Sequence, residues 1–295
     1  MLEKKPRRQH PKKLPEKFQK SPKISLQDTS WEKVADWYDE HLASEDSYHQ
    51  QVILPNILRL VAGNAGGRES DGAKGFALLD LACGQGFFAE HFRKEGGRVI
   101  GVDAAPTLIE RARQRSPNID FRVGWADQLS FLPDQSFDVI TLILALQNIK
   151  EVDGVFAEVA RLLKKTGNRE GDQKNAQKNP TGRFYIVLNH PCFRIPKMST
   201  WGWDEESAKQ YRRIDSYLSE SSTSIVAHPS DPRSAKTISF HRPLQYYFKL
   251  LNKHGLSVTK LEEWISHKKS QKGKRTLAED TARKEIPLFL CIEAR

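Results

Sequence analysis

The sequence predicts an α/β domain: a doubly wound, mostly parallel sheet of seven strands, with an inserted cap after the fifth strand. Three observations carry that expectation. Short apolar runs alternate along the chain with amphipathic helical patterns. The runs lack polar alternates, as strands covered on both faces do. A long polar and aromatic stretch then interrupts the alternation before it resumes.

The elements follow in order. Residues 1–25 carry nine Lys/Arg against Glu3 and Glu16, so +7 of the net +10 sits in a Pro-rich segment. That composition predicts a disordered basic tail over 1–28 and a nearly neutral domain over 29–295. The plainer reading of the tail is a solubilising extension; the alternative is an electrostatic anchor for nucleic acid. From Trp31 to Ala62 apolar residues recur at helical spacing: Val34, Trp37 and Tyr38, then Val52, Ile53, Ile57, Leu58 and Val61. A Gly-rich linker covers 63–75.

Five runs then read as buried strands: 76–82, 98–103, 119–124, 137–144 and 183–189. Helical patterns lie between them at 106–115 and 152–165. Residues 166–182 are polar and read as a surface insertion. The stretch from 190 to about 240 contains Trp201, Trp203, Tyr211 and Tyr217, which gives it enough apolar surface to fold as a cap. Within it, 210–219 and 235–244 alternate and are expected to pair as antiparallel strands. A helix over 243–255, closed by Gly255, and strands over 256–264 and 286–294 complete the pattern.

Composition excludes several classes. The best apolar run, 139–146, is far shorter than the roughly 20 residues a membrane helix needs. The basic N-terminus has no apolar segment after it, so a secretory signal is not expected. Cys83, Cys192 and Cys291 are odd in number and widely spaced, with no pairing for disulfides or a metal, which points to a reducing, cytoplasmic setting.

The sharpest motif is 78-LLDLACGQGFFAEHF-92. A buried strand ends at Asp80 and turns through Ala82, Gly84 and Gly86 into a helix, where small residues let a ligand approach the backbone. Asp103 ends the next strand, where a carboxylate can accept from both hydroxyls of a ribose. The glycines with Ala89 also satisfy a dinucleotide-binding spacing, so an NAD-dependent oxidoreductase is an alternative. Asp80 disfavours it: a carboxylate there opposes a pyrophosphate and suits a ligand bearing an ammonium group.

With these motifs in place, the chain resembles the class I S-adenosylmethionine-dependent methyltransferases, a Rossmann-like family. The resemblance covers roughly 31–165, 182–190 and 243–294. It implies that Asp80 and the Ala82–Gly86 loop hold the methionine part of S-adenosylmethionine, and that Asp103 binds the ribose. Ala104 is then set against the adenine, with Ala126 and Asp127 meeting its ring nitrogen and amino group. Leu142 is expected after the fourth strand, offering backbone to the amino-acid end, and Tyr38 as a lid. Ala82 stands where the family usually has its first glycine. The segments 262–270 and 283–294, with His-Pro-x-Phe-Arg-Ile-Pro after the fifth strand, resemble a bacterial branch of that family.

The acceptor side is read from 187-VLNHPCFRIP-196. Asn189-His190-Pro191-Cys192 looks like the Asn-Pro-Pro-aromatic loop of DNA amino-methylases. That loop follows the fourth strand, however, and this one follows the fifth, so the base-clamping reading fails on topology. Carboxyl ends of strands face the cleft in open α/β sheets, so His190 is expected to meet substrate. His190 and His241 are the candidate general bases. Arg194, Arg212 and Tyr217 are the candidate substrate contacts, the arginines for a carboxylate or phosphate. The expectation is methyl transfer, without a metal, to an O or N atom of a small molecule. The rivals are an RNA or protein methyltransferase anchored by the tail, and a non-catalytic cofactor-binding protein.

Overall fold

The computed structural model describes residues 44–65, 75–165, 182–226 and 236–295. The basic tail, Tyr38, most of the 63–75 linker, residues 166–181 of the insertion and 227–235 of the cap lie outside the described residues.

Strands β1 (Ala77–Leu81), β2 (Arg98–Asp103), β3 (Asp120–Val123), β4 (Val139–Ile143) and β5 (Arg183–Asn189) run parallel. β11 (Phe289–Ala294) lies antiparallel between β5 and β10 (Val258–Trp264), giving the order β10-β11-β5-β4-β1-β2-β3. This is the doubly wound, mostly parallel seven-stranded sheet that the sequence predicts.

Strand period explains why two cores form. Successive side chains leave opposite faces, so Leu78, Val139, Tyr185 and Val187 join one cluster, while Leu79, Ile140, Phe184 and Ile186 join the other. Helices α1 (Leu54–Ala65), α2 (Phe87–Lys94) and α3 (Pro106–Arg115) cover the first face through Ile57, Phe92 and Ile109. Helices α4 (Val152–Leu162) and α5 (Leu244–Lys253) cover the second through Phe156, Val159, Tyr247 and Leu251. Each such fully buried side chain contributes about 1.5–3 kcal/mol. Both faces are thereby sealed, and the strands' carboxyl ends remain as the place for a ligand.

The cap differs from the expected pairing. Residues 210–219 and 235–244 touch through Tyr217 but do not pair as strands. Instead β7 (Lys209–Ile214) pairs with β6 (Ser199–Asp204), and β9 (Lys236–His241) pairs with β8 (Ser221–Val226). The β6–β7 partners are joined by a turn, which costs less closure entropy than bringing two distant segments together. β9 docks on the core where Asn148 Nδ2 donates to the Ile238 carbonyl at 2.9 Å. Helix α6 (Thr276–Glu285), which the sequence pattern did not predict, packs against β7. Among the described residues no helix is long and apolar enough to cross a membrane.

Candidate active site

The sheet order reverses at β1, whose neighbours are β2 and β4. Loops leaving β1 and β4 therefore diverge, and the crevice between them is the expected ligand site. The loop after β1 is built for close approach. Ala82, Gly84 and Gly86 all have positive φ, at 54°, 55° and 81°. A Cβ on Gly86 would stand 2.7 Å from the Phe121 ring, and one on Gly101 2.4 Å from it, so glycine at both lets that ring pack beneath the loop.

Asp103 ties the loop to β2. Its Oδ2 accepts from the Gly84 N–H at 2.8 Å and its Oδ1 from the Ala105 N–H at 2.9 Å. Burial pushes its carboxyl above the ordinary range. Each oxygen keeps a further lone pair for a ligand hydroxyl.

Asp80 is 2% exposed. Its Oδ1 accepts from the Thr141 hydroxyl at 2.9 Å, while the buried Oδ2 has no hydrogen-bond partner among the described residues. Burial drives its pKa up to about 7, against the Thr141 hydrogen bond, and the Asp103 charge adds to the rise. Gln85, also buried, has no partner for either amide atom among the described residues. A buried unsatisfied polar group costs about 1–3 kcal/mol. Three of them, at the end of β1 and in the glycine loop that follows it, fit a ligand able to supply the missing bonds. The orphan carboxylate oxygen fits an ammonium group, and the glycine cradle fits a backbone-hugging ligand, as the amino-acid end of S-adenosylmethionine requires.

The remaining cofactor-side residues divide. Ala104 follows β2, and the Gly124 N–H donates to the Asp103 carbonyl at 2.9 Å, joining the ends of β2 and β3. Ala126 and Asp127 lie half-buried in the turn after β3, with Asp127 against Gly154 of α4. Leu142 corrects an expectation. It lies inside β4, paired with Leu81 and Ile186, so its backbone belongs to the sheet. Beyond the strand end the backbone turns instead at Leu144, whose φ is 53°.

A cavity of about 290 Å³ opens between the carboxyl ends of β4 and β5 and the cap. Gln147, Asn189, Arg194, Arg212, His241 and Arg242 are among its lining residues. Of the two candidate bases only His241 lines it. The His241 Nε2 sits 2.8 Å from the Tyr217 carbonyl, which can only accept, so Nε2 carries a proton and donates there, and His241 is among the residues lining the cavity. His190 corrects the other expectation. The Cys192 N–H donates to its Nδ1 at 3.2 Å, so Nε2 carries the proton and donates to Glu263 at 2.7 Å. With both nitrogens engaged and the ring 2% exposed, His190 is a brace between β5 and β10. Burial holds its pKa below the ordinary value, against the pull of Glu263. Tyr217, expected at the substrate, instead caps α5: its hydroxyl accepts from the Leu244 N–H at 2.9 Å.

Comparison with known proteins points the same way. Residues 79–168 match the methyltransferase-domain family model, which begins within β1 and runs past α4. Demethylmenaquinone methyltransferase of Chlorobaculum parvum is 29% identical over 205 residues, covering 66% of this chain and 85% of that protein. Malonyl-[acyl-carrier protein] O-methyltransferase of Yersinia pestis is 36% identical over 93 residues, 32% of this chain and 34% of that protein. An S-adenosylmethionine-dependent methyltransferase from Mesorhizobium loti superposes with a TM-score of 0.57 and 26% identity, covering 82% of this chain and 99% of that one. The chain is a class I S-adenosylmethionine-dependent methyltransferase.

In this methyltransferase the cofactor supplies a methyl group already activated on a sulfonium. The protein's own task is therefore to bind, orient and exclude water. Three residues that serve the site escaped the sequence reading. Thr141 was visible as the one hydroxyl in an apolar strand, 139-VITLI-143. Gln85 stood inside the glycine motif but reads as a spacer there. Glu263, the partner of His190, lies 73 residues away and left no local signal.

Proposed function

We propose that this methyltransferase, acting as one domain over 29–295 with the cap at about 190–240, methylates an O or N atom of a small molecule bound under the cap. The observation that carries this is the cavity at the ends of β4 and β5, lined by polar side chains and by His241. A cavity of about 290 Å³ suits a small acceptor. Two relatives support the class, since their names denote a demethylmenaquinone and a malonyl-carrier acceptor.

Asp80, Gln85 and the Ala82–Gly86 loop hold the cofactor's amino-acid end, Asp103 its ribose, and Ala104, Ala126 and Asp127 its base. His241 takes the acceptor proton on Nδ1 and passes charge toward the Tyr217 carbonyl through Nε2–H. The test is methyl transfer from labelled S-adenosylmethionine into a cell extract, followed by fractionation into small molecules, RNA and protein. Label in the small-molecule fraction, with kcat reduced about 10²-fold or more in His241→Gln, is the expected result. Label confined to RNA or protein refutes the reading, and an unchanged kcat removes His241 from it.

A further inference from the structure

The cavity under the cap has one sign of charge. Arg194, Lys197, Arg212 and Arg242 line it, and no Asp or Glu does. Its three arginines are fixed entirely by neutral groups. Arg194 Nη1 donates to Asn189 Oδ1 at 2.8 Å, and its guanidinium lies 5.6 Å from the Phe289 ring centre. Arg212 donates through Nε to the Phe193 carbonyl at 2.9 Å and through Nη2 to Ser199 Oγ at 2.8 Å, stacked 5.1 Å from the Trp201 ring. Arg242 donates to the Ile149 and Lys150 carbonyls at 3.0 and 2.8 Å, between the rings of Phe240 and Tyr246.

Among the described residues none of the three has a carboxylate partner. Arg242 is 5% exposed. Arg194 is depressed in pKa, first by burial and then by the like charge of Arg212 despite the opposing Tyr48, so the two guanidiniums feel each other. Shielding a charge from water without a counter-charge is unfavourable, most of all for the buried Arg242, and clustering like charges adds to it. The cost is offset when a ligand brings the counter-charge. Among the described residues the Nη2 and Nε groups of Arg194 and the Nη1 group of Arg212 are left over for it, and guanidinium forks match the oxygens of a carboxylate or phosphate.

We infer that the methyl acceptor bears an oxyanion, a carboxylate or a phosphate, gripped by Arg194 and Arg212. Arg242, its fork spent on the backbone, positions the cap and adds positive potential. The inference rests on the reading that this cavity takes the acceptor. Orientation follows: the anionic group sits at the two arginines, and the acceptor atom lies elsewhere in the cavity.

The experiment is calorimetry on the full chain loaded with S-adenosylhomocysteine, using benzoate, phenyl phosphate and neutral benzamide as probes. At least one anion binds ten times or more tighter than benzamide, equivalent to about 1.4 kcal/mol. The stronger of benzoate and phenyl phosphate identifies the oxyanion. Arg212→Met removes the preference, Arg212→Lys restores part of it, and neither changes S-adenosylhomocysteine affinity. Equal binding of benzamide and both anions, no binding by either anion, or a preference that survives Arg212→Met overturns the inference. Failure of the acceptor reading shows separately, as label confined to RNA or protein in the transfer assay.

Discussion

Replacing Asp80 by Asn tests whether the buried carboxylate is reserved for the cofactor. Burial raises its pKa from 3.8 to about 7. Between those values the native state holds a proton that the unfolded chain has released, so stability falls as pH rises through this window. Three units correspond to roughly 4 kcal/mol, an upper bound on what Asp80 costs the free protein above pH 7. Binding an ammonium group reverses the balance: Asp80 ionises, and affinity must rise with pH. If the bound form stays ionised, affinity for S-adenosylhomocysteine increases about tenfold between pH 5.5 and 7. The ligand's own amine remains largely protonated over that range. Asp80→Asn should raise the melting temperature at pH 8 while weakening S-adenosylhomocysteine by about 1.5–3 kcal/mol, roughly 10- to 150-fold. Its pH slope should flatten to what Asp103 leaves. Calorimetric titration across pH, with thermal unfolding of both proteins, measures all of this. A flat profile in the wild type, or an unchanged slope in Asp80→Asn, refutes the reasoning.

Three further outcomes are expected. Gly86→Ala forces a side chain into positive φ and against the Phe121 ring, costing about 2–4 kcal/mol in urea unfolding and weakening cofactor binding. Thr141→Val removes the hydrogen bond that restrains Asp80, so the midpoint of the affinity–pH profile moves to higher pH. His190→Gln lowers stability by about 1–3 kcal/mol but leaves S-adenosylhomocysteine affinity intact. The His190 imidazole has a lowered folded pKa, so it supports the fold above the unfolded value of about 6.5 and withdraws that support as pH falls. Acid-side unfolding curves of the variant should lose this component.

Legibility followed the range of the interaction. β5 was readable to the residue, because an unbroken apolar run between polar borders has one good home, a strand covered on both faces. The same held for α3, which opens on Pro106 at its first helical position. In the cap, alternation marked 210–219 and 235–244 as strands, which form at Lys209–Ile214 and Lys236–His241, but it carried no information about partners. The segment paired with β9, 221-SSTSIV-226, has almost no apolar alternation to betray it. Helix α6 hid for a related reason: its large apolar residue Leu277 is 83% exposed, so no buried stripe marks it. In the site, the glycine loop and its acids were legible because they are close in sequence. The roles of His190 and His241 were not, since each depends on which atoms its ring nitrogens meet across the fold.

The position of β11 has a consequence for how the protein is made. β5 reaches its neighbour on that side only through β11, with Phe184 opposite Ala294, and β10 joins the sheet only through β11 as well. At ribosomal speeds of about 5–20 residues per second, the β5 edge waits on the order of 5–20 s for its partner. During that interval an apolar strand, Arg183–Asn189, presents an open row of backbone donors and acceptors. Aggregation during synthesis should therefore respond to charges placed on that strand, or to chaperone supply, more than to the stability of the finished fold.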